Sequence, residues 1–259
     1  MPDDERRPDV IMLPGGVLPA SLAYEALLKE FGDDVHAVAK ELDVYGNDRP
    51  PPGYTLDVEV AGIVRCAEEV GFDRFHLVGY SGGGASSLAF AAAHPGRLKS
   101  LALLEPAWAG NKDLSPEEAA LWAEFRRIAE LPPNEMMPAF VAAQLRPGVE
   151  PPSQPPGPPP PWMSSRPAGL RAFIQAFTSG DLDLGALRSF KQPVYFALGG
   201  LSNPDCYERM ADRLSDVFSD FTLEVFERRH HFDPPHRIEP ERVAFSLRAI
   251  WDRAEELAR

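Results

Sequence analysis

The run Gly79-Tyr80-Ser81-Gly82-Gly83 sets one hydroxyl among glycines, between the apolar segment Phe75–Val78 and the small-residue segment Ala85–His94. A serine on a sharp strand-to-helix turn sits in a strained backbone conformation that only small neighbours permit. The helix that follows directs its first N–H groups at the same point, where they favour developing negative charge. The chemistry this arrangement suits is nucleophilic attack on a carbonyl.

A serine hydroxyl is a weak nucleophile until a base takes its proton. The chain has six histidines. His36 and His76 fall in strand segments, facing structural layers. His94 lies in His94-Pro95-Gly96 at a helix end, where capping explains it, and His236 lies near the start of the final helix. His230 and His231 remain. They sit in Arg229-His230-His231-Phe232-Asp233-Pro234, after the last strand segment, which puts their loop at the same sheet edge as Ser81. Of the two, His231 is preferred. His230, His231, Asp233 and His236 could also be read as metal ligands, but no second acidic cluster accompanies them, and neither a metal nor another cofactor is expected.

Such groups need a scaffold that carries distant segments to one edge. Val10–Leu13 is a wholly apolar run that stops at Pro14-Gly15-Gly16. Val35–Ala39, Phe75–Val78, Leu101–Leu104, Val194–Leu198 and Thr222–Phe226 are the other strand segments. Between and after them, helical spacing marks Leu22–Phe31, Thr55–Val70, Ala85–His94, Asp205–Phe218 and Glu239–Leu257. Short apolar strands alternating with helices predict an α/β fold with a mostly parallel sheet flanked by helices. The alternation lapses over 111–190. There Ser115–Leu131, Glu135–Leu145 and Leu170–Thr178 read as helices without strands, the first with proline at its opening position. Residues 151–161 hold eight prolines in eleven, which suits a polyproline II spacer or a surface loop. The expected organisation is a core of 1–110 and 191–259 with a helical insertion at 111–190.

Composition narrows the partners. Twenty-six basic residues against 39 acidic ones leave a formal charge of −13. That balance opposes binding to nucleic acid or to an anionic membrane surface. No apolar run reaches the roughly 18 residues of a membrane span. The polar, acidic opening MPDDERRPDV does not read as a signal peptide. Two cysteines, Cys66 and Cys206, give no disulfide framework, so a cytoplasmic location is expected. The expected partner is a small-molecule substrate, and the oligomeric state is open. Tyr80 and Trp108, which flank the serine and the end of the next strand, are candidates to line a pocket, with Trp122 and Trp162 behind them.

Several segments together resemble the α/β-hydrolase superfamily: VIMLPGG, HLVGYSGGG, AAAHPGRLKSLALLEPA, PVYFALGGLSNP and HHFDPPHRIEPERV, in that order. The resemblance implies the α/β-hydrolase fold, with the insertion as a helical cap that shapes the pocket. It places the family histidine on His231. It implies an oxyanion hole from the N–H of Gly82 and a second N–H in the turn after the first strand, at Gly16 or Val17. The family's usual aspartate position falls in Gly200-Leu201-Ser202-Asn203-Pro204, where Asn203 stands instead. Three residues are then candidates to orient the histidine. Glu105 ends the strand Leu101–Leu104, a position some family members use, and a carboxylate there needs a partner. Asn203 could act as an orienting amide. Asp205 follows closely, although a helix-capping role suits it better. The implied activity is cleavage of a small carboxylic ester, thioester or lactone through an acyl-enzyme on Ser81. A non-hydrolytic binding protein and a C–C hydrolase or lyase are the alternatives.

Overall fold

The structure, a computed structural model, describes residues 7–47, 49–153 and 157–258. Six strands form one sheet: β1 (Asp9–Leu13), β2 (His36–Ala39), β3 (Phe75–Ser81), β4 (Leu98–Pro106), β5 (Val194–Gly199) and β6 (Phe221–Phe226). Their order is β2-β1-β3-β4-β5-β6, and every pairing is parallel. The chain thus builds outward in one direction from β1 and in the other from β3. Ligands of open parallel sheets bind beyond the strand carboxyl ends at such a reversal.

Helices cover both faces, as buried parallel strands require. On one side lie α1 (Ala20–Ala23), α2 (Glu25–Phe31) and the last helix, α11 (Pro240–Leu257), which bury Tyr24, Leu27, Phe31, Leu247 and Trp251 against Val10 and Met12. On the other lie α3 (Leu56–Glu69), α4 (Gly82–Ala93) and α9 (Tyr207–Ser215). A short α10 (Pro235–Ile238) precedes α11. Between β4 and β5 run α5 (Pro116–Ala129), α6 (Pro133–Ala143), α7 (Arg166–Ser179) and α8 (Leu184–Arg188), with no strand among the described residues. Phe125, Ile128, Met136, Leu170 and Ile174 give α5, α6 and α7 an apolar cluster of their own. The Ser115 hydroxyl and the Glu118 carboxylate cap α5 reciprocally. No described helix is long and apolar enough to cross a membrane.

Three details differ from the sequence reading. The helix expected over Leu22–Phe31 breaks at Tyr24, whose buried hydroxyl donates to the Leu13 carbonyl at the end of β1, 2.7 Å away. Helix α8 was not anticipated; its five residues are too few to show a period. His36 faces solvent rather than a structural layer, because β2 is the sheet edge and the ring lies beside Asp9. Of the proline-rich stretch, 154–156 lies outside the described residues. The flanking 151–153 and 157–160 are exposed and neither helix nor strand.

Two histidines are fully buried, His76 in β3 and His236 in α10, and burial pushes both imidazoles down to about 3. In the unfolded chain each takes up a proton near its ordinary value of 6.5. The unfolded state therefore binds more protons between those limits, and stability falls as pH drops from 6.5 towards 3. Each histidine contributes a slope of about 1.4 kcal/mol per pH unit in that window. His76→Asn, whose amide can still meet the Ser100 hydroxyl that the ring contacts at 2.8 Å, is expected to flatten the curve by one histidine's share. Urea unfolding at several pH values measures it; an unchanged slope contradicts the assignment.

Candidate active site

Ser81 closes β3 and opens α4 with φ 52° and ψ −117°, a conformation that costs a non-glycine residue about 1–3 kcal/mol. The surrounding glycines make it attainable. A Cβ on Gly79 would lie 2.5 Å from the Gly83 carbonyl oxygen. One on Gly83 would lie 2.4 Å from the Leu13 oxygen, and one on Gly84 2.7 Å from Pro106 Cα. With no side chains there, α4 packs directly onto the ends of β1 and β4. The Gly83 N–H donates to the Pro14 carbonyl at 3.0 Å, tying the elbow to the turn after β1.

Glu105 reaches His231 through an irregularity in the sheet. Tyr80 pairs with Leu104, but Ser81 pairs with Pro106, so Glu105 is an extra residue in β4. Its φ is 46°. A bulge of this kind re-aims a side chain that a regular strand would point elsewhere. One carboxylate oxygen of Glu105 accepts the Gly199 N–H at 2.8 Å, and the other lies 3.1 Å from His231 Nδ1. The carboxyl is 1% exposed, so these contacts answer the penalty of burying it.

His231 arrives on the loop after β6. Arg229 anchors that loop, donating to Asp233 and Glu239 at 2.7 Å each, while the Tyr80 hydroxyl donates to the His231 carbonyl. His231 Nε2 lies 2.9 Å from Ser81 Oγ. A carboxylate at Glu105 can only accept, which makes Nδ1 the donor and leaves Nε2 free to accept the serine proton. The Tyr207 ring stacks on the imidazole at 4.6 Å and 18°. The structure thus joins Ser81, His231 and Glu105 in one buried chain of contacts.

Residues 10–244 match the model of the Alpha/beta hydrolase family. The chain belongs to that family. No curated protein matches its sequence. Among solved structures, it is similar to a thermophilic esterase from Thermogutta terrifontis solved with malate bound, at 18% identity and TM-score 0.70 over 95% of this chain and 90% of that one. An esterase from Exiguobacterium antarcticum aligns at 18% identity and TM-score 0.71 over 95% and 92%. Carboxylesterase CesB from Bacillus subtilis aligns at 16% and 0.61 over 96% and 84%. At such identities the likeness is one of fold.

In this hydrolase the other candidate acids stand apart from the imidazole. Asn203 is a strut: its amide donates to the Ala143 carbonyl at the end of α6 at 2.8 Å, and its oxygen accepts the Asp205 N–H at 3.0 Å. Asp205 pairs with Arg209 at 3.2 Å. It does not cap α9, which begins at Tyr207 without a side-chain cap. His230 turns back on its own loop, accepting the Phe232 N–H at 3.2 Å. No group of three or more His, Cys, Asp or Glu among the described residues could hold a metal.

A recess opens over Ser81, with Gly16 and Gly82 beside the hydroxyl and a largely apolar wall that includes Phe125, Phe140 and Phe173. Val17 is not among its lining residues; the preceding carbonyl, of Gly16, is held by the Tyr45 hydroxyl at 2.7 Å. Tyr80 and Trp108, expected in the wall, lie outside it. Tyr80 is spent beneath the imidazole, and Trp108 stacks on Phe177 at 5.7 Å with its N–H given to Asn111. Trp122 does line the recess. Gln144, Cys206 and Tyr207 also line it and were not anticipated; the only signal for the last two was their place just after Asn203-Pro204.

Asn203→Ala removes two hydrogen bonds and leaves the Ala143 carbonyl without its partner. It is expected to lower the unfolding free energy by about 1–2 kcal/mol in urea titrations. No loss of stability would mean that the Asn203 strut carries no weight.

Proposed function

We propose that the protein is a serine hydrolase that cleaves a small carboxylic ester, thioester or lactone through an acyl-enzyme. The observation that carries this reading is the continuous Ser81–His231–Glu105 contact chain, at 2.9 and 3.1 Å, facing the recess. Ser81 Oγ attacks the substrate carbonyl as His231 Nε2 takes its proton. Glu105 holds the imidazole in the reactive tautomer and balances the charge it gains. The oxyanion is met by the Gly82 N–H at the head of α4 and by an N–H of the turn after β1. Gly16 is the preferred second donor, because it lines the recess beside Ser81 and Val17 does not. His231 then returns the proton to the leaving group, and a water activated by the same nitrogen releases the acid.

The helices between β4 and β5 act as the cap: α5, α6 and α7 supply Phe125, Phe140 and Phe173 to the wall. The buried, unpaired Cys66 and Cys206 support a reducing compartment, the cytoplasm.

Ser81→Ala is expected to abolish labelling by a fluorophosphonate and turnover of p-nitrophenyl esters. Glu105→Gln is expected to lower kcat by about 10⁴-fold, because the amide stabilises the wrong tautomer and no imidazolium. Asn203→Ala is expected to retain kcat near wild type. The reverse pattern, activity kept in Glu105→Gln and lost in Asn203→Ala, would move the acid role to residue 203. Wild-type protein that takes no label would favour a binding protein on the same fold.

A further inference from the structure

A second, smaller recess, open to solvent, adjoins the first, and the two share Trp122 and Cys206. Both spaces follow one seam, bounded by α5 on one side and by α9 on the other. On α5, Phe125 faces the recess, Glu118 and Leu121 face the smaller cavity, and Trp122 between them belongs to both. At α9 the residues divide between the same two spaces. Tyr207 lines the recess, Met210 and Arg213 line the smaller cavity, and Cys206, just before the helix, lines both. The Glu118–Arg213 ion pair, at 2.8 Å, spans the seam in the smaller cavity. The arrangement is one groove interrupted once.

The interruption is mostly indole, since a thiol fills little space. The Trp122 ring is held edge-on by Phe177 at 6.1 Å and 76° and tilted against Phe125 at 5.4 Å. Phe177 is itself backed by the stacked Trp108 ring. The recess on the serine side offers no charged partner. The Tyr207 hydroxyl donates to the Gln144 side-chain oxygen at 2.7 Å, and the Gln144 amide donates to the Phe140 carbonyl at 2.9 Å. Burial holds the Cys206 thiol and the Tyr207 phenol well above their ordinary values, so both stay neutral. A charged group placed there would lose its water and gain no counter-ion.

We propose that Trp122 is the specificity-determining end wall of the substrate recess, restricting the enzyme to esters of short, uncharged, apolar acids. The inference rests on the serine-hydrolase reading and adds the substrate class. Removing the indole joins the two spaces along the α5–α9 seam. Longer chains then find room, and each methylene that gains it raises kcat/KM by about fourfold.

The test is a p-nitrophenyl series on wild type, Trp122→Phe and Trp122→Ala: butyrate, octanoate and monosuccinate, with fluorophosphonate labelling of the same proteins. Wild type is expected to prefer butyrate over octanoate and over monosuccinate. In Trp122→Ala the octanoate-to-butyrate ratio of kcat/KM is expected to rise at least about tenfold. Trp122→Phe, which keeps an aromatic wall, should fall between the two. A ratio that stays constant across three labelled proteins overturns the partition, as does a wild type that already prefers octanoate. Monosuccinate turned over as fast as butyrate overturns the restriction to uncharged acids. Wild type that takes no label removes the hydrolase reading itself, and the partition with it.

Discussion

The elbow depends on the close approach of Gly83 to the carbonyls of Leu13 and Pro14, the tightest contact with backbone that a side chain on any described glycine would meet. It lets α4 begin against the end of β1, and that start holds Ser81 at positive φ. Without it, the serine would relax into an ordinary turn and its hydroxyl would leave the line to His231 Nε2. The same contact sets the turn after β1 beside the Ser81 hydroxyl. Backbone packing on glycine does this work, and no polar side chain within the elbow could substitute for it.

The second constraint is electrostatic. A carboxyl buried as deeply as Glu105 is tolerable only with its oxygens engaged, and the Gly199 N–H and the imidazole engage them. The bulge that presents Glu105 is thus coupled to two other strands, to β5 through Gly199 and to the β6 loop through His231. Packing supplies the remainder: the imidazole lies between hydrogen bonds at its two nitrogens and a tyrosine ring on its face.

Much of this was legible in the residues. Apolar runs such as Val10–Leu13 and Leu101–Leu104 declare parallel strands because no polar face interrupts them. The elbow was legible because only glycines fit its contacts. The orienting acid stayed open among three residues, since the choice depends on a one-residue register shift in β4, which leaves no local pattern. Asn203 occupies the position where the family resemblance places an aspartate, yet its amide serves α6 instead. Pocket walls were the least legible part. Tyr80 and Trp108 sit close to the right residues in sequence but pack on His231 and Phe177 instead of lining the recess, whereas Cys206 and Tyr207 come from the start of α9, whose rotation no single motif records.

Ser81 and Glu105 stand on neighbouring strands joined by a ladder of backbone hydrogen bonds, whereas His231 hangs from a loop secured by Arg229 and by one tyrosine hydroxyl. Two corners of the Ser81–His231–Glu105 triangle are therefore set by the central sheet, and the third is moored at its rim. A mooring made of side chains opens locally at lower cost than a ladder of strands.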